Sequence, residues 1–284
     1  MSDPVLPDMG DAAPAAPPPT KGKPPSSPAV NPLSKIREAG DYDEQATIKG
    51  LLYGPTNGGK STFLAKLPKP LIGLTEPQAI PSIRRANPKA AIFPISTYGD
   101  LLEFQAIVSS PKISSRYQSV GLDSLTDAQR IIREHYTNAQ DKRTDVTDMD
   151  SWGVVIDKTA RLVRTVRNAI GVSTWIVALD KEEVVGGIGL VHRPAVNGKT
   201  LPADLAQYVN VVGYMHREEL PNGIRRTIRF DGGERFLTKG MGDLDRLEPP
   251  VPSWILYRAG LGPLPSPEDL EAVEEWKDAA KANS

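Results

Sequence analysis

From residue 48 onward, short apolar runs alternate with stretches of helical period, the texture of βαβ units and a mostly parallel sheet. Residues 48–53 read as a buried strand, followed by a glycine-rich turn and a helix from about Lys60 to Leu67. Further strands are expected at 71–74 and 91–95, and a helical pattern covers 98–109. A strand at 120–122, introduced by Tyr117, leads into a helix over about 126–140, and an Asp- and Thr-rich polar loop fills 141–151. The clearest periodic element is 153–170. There Val155, Thr159, Leu162, Val166 and Ala169 share one stripe, while Lys158, Arg161, Arg164 and Arg167 recur at every third position along the other side. Residues 174–179 make another buried strand.

Residues 181–202 carry Gly186, Gly187, Gly189 and Gly198 without a sustained period, so a long mobile loop is expected there. After it, 208–217 and 224–230 flank Pro221-Asn222-Gly223, a hairpin signal because Asn-Gly accepts positive φ. A last helix is expected from Ser266 to about Lys281. Ser266 can cap it, Pro267 suits the first helical position, Glu268 and Asp269 favour the dipole, and Trp276 is its anchor. The first 33 residues differ from everything after them. Runs such as Ala16-Pro17-Pro18-Pro19 and Lys23-Pro24-Pro25 lack amide donors and apolar area, so nothing offsets the entropy of ordering them. The expected organisation is a disordered Pro-rich tail at 1–33, a core at 34–245, and a C-terminal extension with a terminal helix at 246–284.

Composition narrows the chemistry. Among 284 residues there is no cysteine, which excludes a disulfide scaffold and a Cys-based zinc site. Three histidines, His135, His192 and His216, are too scattered in sequence to suggest a structural metal cage. With 34 basic against 35 acidic residues, nucleic acid cannot be held by bulk charge, so any such site must be local. No apolar run approaches the roughly 20 residues of a membrane span, and the start Met1-Ser2-Asp3-Pro4 lacks the features of a signal peptide. A soluble intracellular protein with no membrane partner is the expectation.

Gly54-Pro55-Thr56-Asn57-Gly58-Gly59-Lys60-Ser61-Thr62 matches G-x-x-x-x-G-K-[ST] between an apolar strand and an amphipathic helix. Its glycines let backbone amides curl around phosphates, and the helix N-terminus adds its positive end. Lys60 would neutralise phosphate charge and Ser61 would place a hydroxyl on Mg²⁺. Ser119-Val120-Gly121-Leu122-Asp123-Ser124 is an apolar strand ending in the carboxylate that a Mg²⁺ shell requires. Leu74-Thr75-Glu76 sets a carboxylate after the next strand, either to orient an attacking water or merely as a surface acid; spacing alone does not choose. ATP and Mg²⁺ are the expected ligands.

The order of these elements resembles the RecA-like P-loop NTPase core, an α/β fold with a mostly parallel sheet, helices on both faces and an antiparallel C-terminal hairpin. More closely, Leu51-Leu52-Tyr53-Gly54-Pro55, Lys69-Pro70-Leu71-Ile72, Gly121-Leu122-Asp123-Ser124-Leu125-Thr126 and Arg235-Phe236-Leu237-Thr238-Lys239 resemble phage-encoded RecA-like nucleotide-binding proteins of single-strand annealing and recombination. The resemblance covers about residues 46–245. It implies an Mg²⁺-dependent ATPase in the cytoplasm of a bacterial host, with Glu76 as catalytic glutamate. It also implies that the 181–202 loop binds DNA, and that Lys239 reaches the γ-phosphate of a neighbouring subunit in a homo-oligomer. Two departures stand out. Asp180 occupies a sensor position that is usually neutral, where an acid is repulsive unless Lys181 or a metal compensates. No Phe-x-x-Ala polymerisation motif precedes the P-loop.

For single-stranded DNA the 181–202 segment is the best candidate, with His192, Arg193 and Lys199 reaching the phosphate backbone, although it lacks aromatic residues for base stacking. The helix stripe Lys158, Arg161, Arg164, Arg167 and the hairpin face Arg225, Thr227, Arg229 fit solvated surfaces better. The leading expectation is an ATPase that binds single-stranded DNA in recombination or annealing. Its rival is a nucleotide-switched replication accessory, similar to a helicase loader. That protein would act on replication or recombination proteins, with the tail as a docking segment; a further rival is a small-substrate kinase.

Overall fold

The computed structural model describes residues 47–138, 149–221 and 223–281. The expected tail, most of the 141–151 loop and Asn222 lie outside the described residues. Among the described residues nine strands appear in chain order: β1 Lys49–Gly54, β2 Pro70–Leu74, β3 Ala91–Pro94, β4 Ser119–Asp123, β5 Ser173–Val185, β6 Gly189–Pro194, β7 Val211–Leu220, β8 Gly223–Arg229 and β9 Leu247–Glu248. The helices are α1 Lys60–Ala65, α2 Ile80–Ala86, α3 Tyr98–Val108, α4 Ile113–Arg116, α5 Leu125–Asn138, α6 Met149–Arg167, α7 Leu201–Tyr208, α8 Pro252–Arg258 and α9 Pro267–Lys281.

The strands form one sheet in the order β3-β2-β4-β5-β1-β7-β8-β9, with β6 paired to the far half of β5. Pairing is parallel from β3 to β7, then antiparallel from β7 to β8 and β9. The expected α/β architecture is therefore present, mostly parallel with an antiparallel C-terminal hairpin. Strand β5 lies between β1 and β4, so the P-loop strand and the acidic strand flank it on either side.

Both faces of the sheet are covered, which is why the central strands read as continuous apolar runs. On one face α3, α5, α6 and α7 pack Phe104, Ala128, Leu162, Val166 and Leu205 against Tyr53, Leu122 and Ile176. The stripe expected on α6 is buried throughout: Val155, Thr159, Leu162, Val166 and Ala169 are all within the core. On the other face α1, α2 and α8 pack Phe63, Leu64, Ile83 and Ile255 against Trp175, Val177 and Met215, and the Phe63 ring meets the Trp175 indole edge-on at 4.9 Å.

Two expectations are corrected. Residues 181–202 are not a loop: β5 continues to Val185 and returns as β6, in register from Asp180 opposite Pro194 to Val185 opposite Gly189. Much of this ribbon is solvent-exposed, so its side chains carry no in–out alternation to read, and Gly187 and Gly189, both at positive φ, make the turn. Residues 201–208 then form α7, opened by Pro202 in its first turn and buried through Leu201 and Leu205, so β7 starts at Val211 and not at 208. In the C-terminal segment β9 extends the sheet, α8 buries Ile255 and Leu256, and α9 is the terminal helix, with Val273 fully buried.

Candidate active site

The P-loop leaves β1 at Gly54, where a Cβ would stand 2.0 Å from the Met215 carbonyl oxygen, so only glycine lets β1 turn beneath β7. Gly59, at φ 105, is the N-cap of α1 and admits the Arg226 side chain, whose Cδ would lie 2.8 Å from any Cβ there. Lys60 follows in the first turn. Its side chain is buried, and its ammonium donates to the carbonyls of Gly54 and Pro55 at 2.7 Å each. Burial lowers its pKa, opposed by the carboxylates of Asp123, Glu76 and Asp180.

Asp123 ends β4 beside β2. It is 5% exposed, and burial raises its pKa against the hydrogen bond from Ser61 and the charge of Lys60. Its Oδ2 is buried and has no hydrogen-bond partner. A buried, unmatched carboxylate oxygen next to a serine hydroxyl is the donor set that a hard divalent cation takes, so Ser61 and Asp123 fit Mg²⁺.

Glu76 is brought to the same place by a clamp between the ends of β2 and β4. Thr75 N donates to the Asp123 carbonyl at 2.6 Å, the Thr75 hydroxyl donates to the same oxygen at 3.1 Å, and Ser124 N donates back to Thr75 Oγ1 at 2.9 Å. Ser124 Oγ then donates to Glu76 Oε1 at 3.3 Å, while Gln78 Nε2 donates to Oε2 at 3.1 Å. The Glu76 carboxyl is pushed up to about 7, first by burial, then by its hydrogen bond with Asp127 and the charges of Asp127 and Asp123, with Ser124 acting in the opposite direction. A carboxyl poised there can both take and release a proton near neutrality.

These groups line one cleft of about 380 Å³ together with Arg217 and Arg226 of the β7–β8 hairpin. Sequence reasoning missed both arginines and Asp127. The expected hairpin cations point elsewhere: Arg225 pairs with Glu218 at 2.7 Å, and Arg229 lies over the Phe236 ring. Arg217 and Arg226 are cross-strand partners, so the register of the hairpin alone delivers both to the cleft.

Asp180 is compensated, but not by Lys181. Lys181 turns outward to Glu183 at 2.6 Å, whereas Asp180 Oδ2 meets His192 Nδ1 at 2.8 Å and accepts from the Tyr214 hydroxyl at 3.3 Å. His192 also stacks on Phe236 at 4.7 Å, so its ring is engaged within the protein. Arg193 is half-buried on β6 and Lys199 is exposed beyond it. Lys239 does not line the cleft; its ammonium donates to the Val209 carbonyl at 2.8 Å, at the C-terminal end of α7.

Among the described residues no helix is long and apolar enough to cross a membrane. The protein family described as AAA domain matches residues 46–241. No curated protein matches the chain. Among solved structures, a KaiC-like protein from the hyperthermophilic archaeon Pyrococcus horikoshii OT3 is similar at 13% identity and TM-score 0.37, over 64% of this chain and 77% of that one. A prototypical ATPase from the type III secretion system of pathogenic bacteria is similar at 12% identity and TM-score 0.41, over 62% of this chain and 56% of that one.

Proposed function

Because the chain belongs to the AAA domain family, a P-loop ATPase fold, we propose that it is an Mg²⁺-dependent ATPase whose nucleotide state governs a single-stranded DNA ligand in phage recombination or annealing. The convergence of Lys60, Ser61, Asp123 and Glu76 on one cleft carries the catalytic half of this reading. Backbone amides of the P-loop bind the phosphates, and Lys60, Arg217 and Arg226 neutralise their charge. Ser61 and Asp123 would hold Mg²⁺, which supplies charge stabilisation on the phosphate oxygens. Glu76 orients the attacking water and accepts its proton on a carboxylate oxygen as the water attacks the γ-phosphorus, and ADP leaves with its new charge facing Lys60. The proton then returns to solvent from the exposed side of Glu76.

The test is steady-state phosphate release with Mg²⁺ and ATP. Lys60→Ala should abolish nucleotide binding by calorimetry, and normal ATP binding by that variant would remove the reading. For the DNA half, the support is placement. The β5–β6 ribbon carries Arg193, with Lys199 just beyond, and grows from the strand between the P-loop and the acidic strand. The rival, a nucleotide-switched accessory with protein partners, is favoured by the exposed apolar side chains of the same ribbon, Val184 at 84% and Leu190 at 44% exposure. Filter binding of labelled single-stranded DNA with and without ATP separates them: retention that depends on ATP supports DNA, and no retention in either condition supports the rival.

A further inference from the structure

Asp180, Glu182 and His192 come together only through the fold. Positions 180 and 182 of β5 share one face by the two-residue period of a strand, and His192 of β6 is the cross-strand partner of Glu182. Their ligand atoms, one oxygen from each carboxylate and an imidazole nitrogen, all lie within 4.8 Å of one another. His192 Nδ1 stands 2.8 Å from Asp180 Oδ2 and 3.9 Å from Glu182 Oε1. Two ligands each held at about 2.0–2.2 Å from one ion are about 3 to 3.5 Å apart, so these two spacings bracket a coordinated pair. Lys181, between the two acids in sequence, points to the opposite face and pairs with Glu183, which leaves the negative charge of the cluster in place.

Asp180 is also short of a partner. Its side chain is 7% exposed, and its Oδ1 is buried with no hydrogen-bond partner among the described residues, a cost that a cation seated on the same carboxylate removes. The neighbours already hold the ligands in orientation, as outer groups do around metal ions. The Tyr214 hydroxyl donates to Asp180 Oδ2 at 3.3 Å, and the Phe236 ring stacks on the imidazole at 4.7 Å with only 3° between the planes. We infer that Asp180, Glu182 and His192 form a binding site for one first-row transition-metal dication, Zn²⁺ above all, with water completing its shell on the exposed side of Glu182. An imidazole nitrogen beside two carboxylates favours such an ion over Mg²⁺, which takes oxygen donors and fits Ser61 and Asp123 instead. The ion takes the place of the proton between Nδ1 and Oδ2, and it ties β5 to β6 where the ribbon leaves the sheet.

The test is Zn²⁺ binding to the full chain by calorimetry, with Mg²⁺ in large excess so that sites built of oxygen donors alone are occupied. The wild type is compared with Glu182→Gln, His192→Gln and Tyr214→Phe, and each protein is melted with and without Zn²⁺. The wild type should bind one Zn²⁺ per chain and gain in Tm when it does. Glu182→Gln and His192→Gln each remove a ligand and should lose more than about 100-fold in affinity, whereas Tyr214→Phe, which removes an outer hydrogen bond, should lose about 10- to 100-fold. The Zn²⁺-dependent gain in Tm should vanish in Glu182→Gln, whose exposed position leaves folding intact if His192→Gln does not fold. A wild type that binds no Zn²⁺ overturns the site. Undiminished affinity in Glu182→Gln, or in a folded His192→Gln, also overturns it, because the ion then sits elsewhere.

Discussion

In the proposed reaction, Glu76 carries the chemistry at the scale of single residues. Glu76→Gln should lower kcat by about 10²- to 10⁴-fold with ATP affinity retained, measured by phosphate release beside calorimetry. Because the carboxyl sits at about 7 and must be ionised to accept a proton, kcat/KM of the wild type should rise with pH to a plateau above that value. A flat profile between about pH 6 and 8 would assign the base elsewhere. The raised value also acts on stability. The fold favours the neutral form, so this contribution is present below the unfolded-state value of 4.5 and is lost as pH rises through about 7. Glu76→Gln, which stays neutral, should therefore gain in Tm relative to the wild type at alkaline pH compared with acidic pH. At Gly54, an alanine would drive its Cβ onto the Met215 carbonyl, and Gly54→Ala should cost at least about 1–3 kcal/mol in denaturant unfolding. The P-loop and Asp123 stand out in sequence because each is announced by contiguous neighbours, a glycine-rich turn or the end of an apolar run, whereas spacing leaves Glu76 open between a catalytic carboxylate and a surface acid. Asp127 was not, since its effect on Glu76 depends on how the first turn of α5 faces β2.

Elements explain the rest of what could and could not be read. The central strands were visible because burial on both faces leaves long apolar runs, and α6 because its stripe has a strict period. The β5–β6 ribbon was invisible for the opposite reason, its tip around Val184 and Leu190 lying exposed to solvent. The two arginines in the cleft depend on hairpin register: shifting it by one residue would send Arg226 to the Trp276 side and Arg225 to the P-loop. Arg226→Ala and Arg217→Ala should each lower kcat/KM for ATP by about 10- to 100-fold, the value of a lost charged hydrogen bond. An unchanged kcat/KM in both variants would remove the hairpin from catalysis.

For the whole molecule, a net charge of −1 means that DNA can be held only where cations are locally unopposed. The Arg193→Ala, Lys199→Ala double variant should weaken single-stranded DNA binding and flatten the log–log salt slope by roughly 1 to 1.5, at about 0.7 for each phosphate no longer neutralised. An unchanged slope would move the DNA site off the ribbon.

The course of β5 has a mechanical consequence. Its 13 residues run as one strand from the middle of the sheet, between the P-loop strand and the acidic strand, out to the ribbon tip, a span of about 40 Å. No glycine or proline interrupts it, and Asp180, pinned to His192 and Tyr214, stands where the sheet ends and the ribbon begins. The ribbon is therefore a stiff lever with its fulcrum beside the P-loop strand. A load applied at Gly186–Gly187 is not absorbed by a hinge along the strand; it arrives as torque on the residues that surround Lys60.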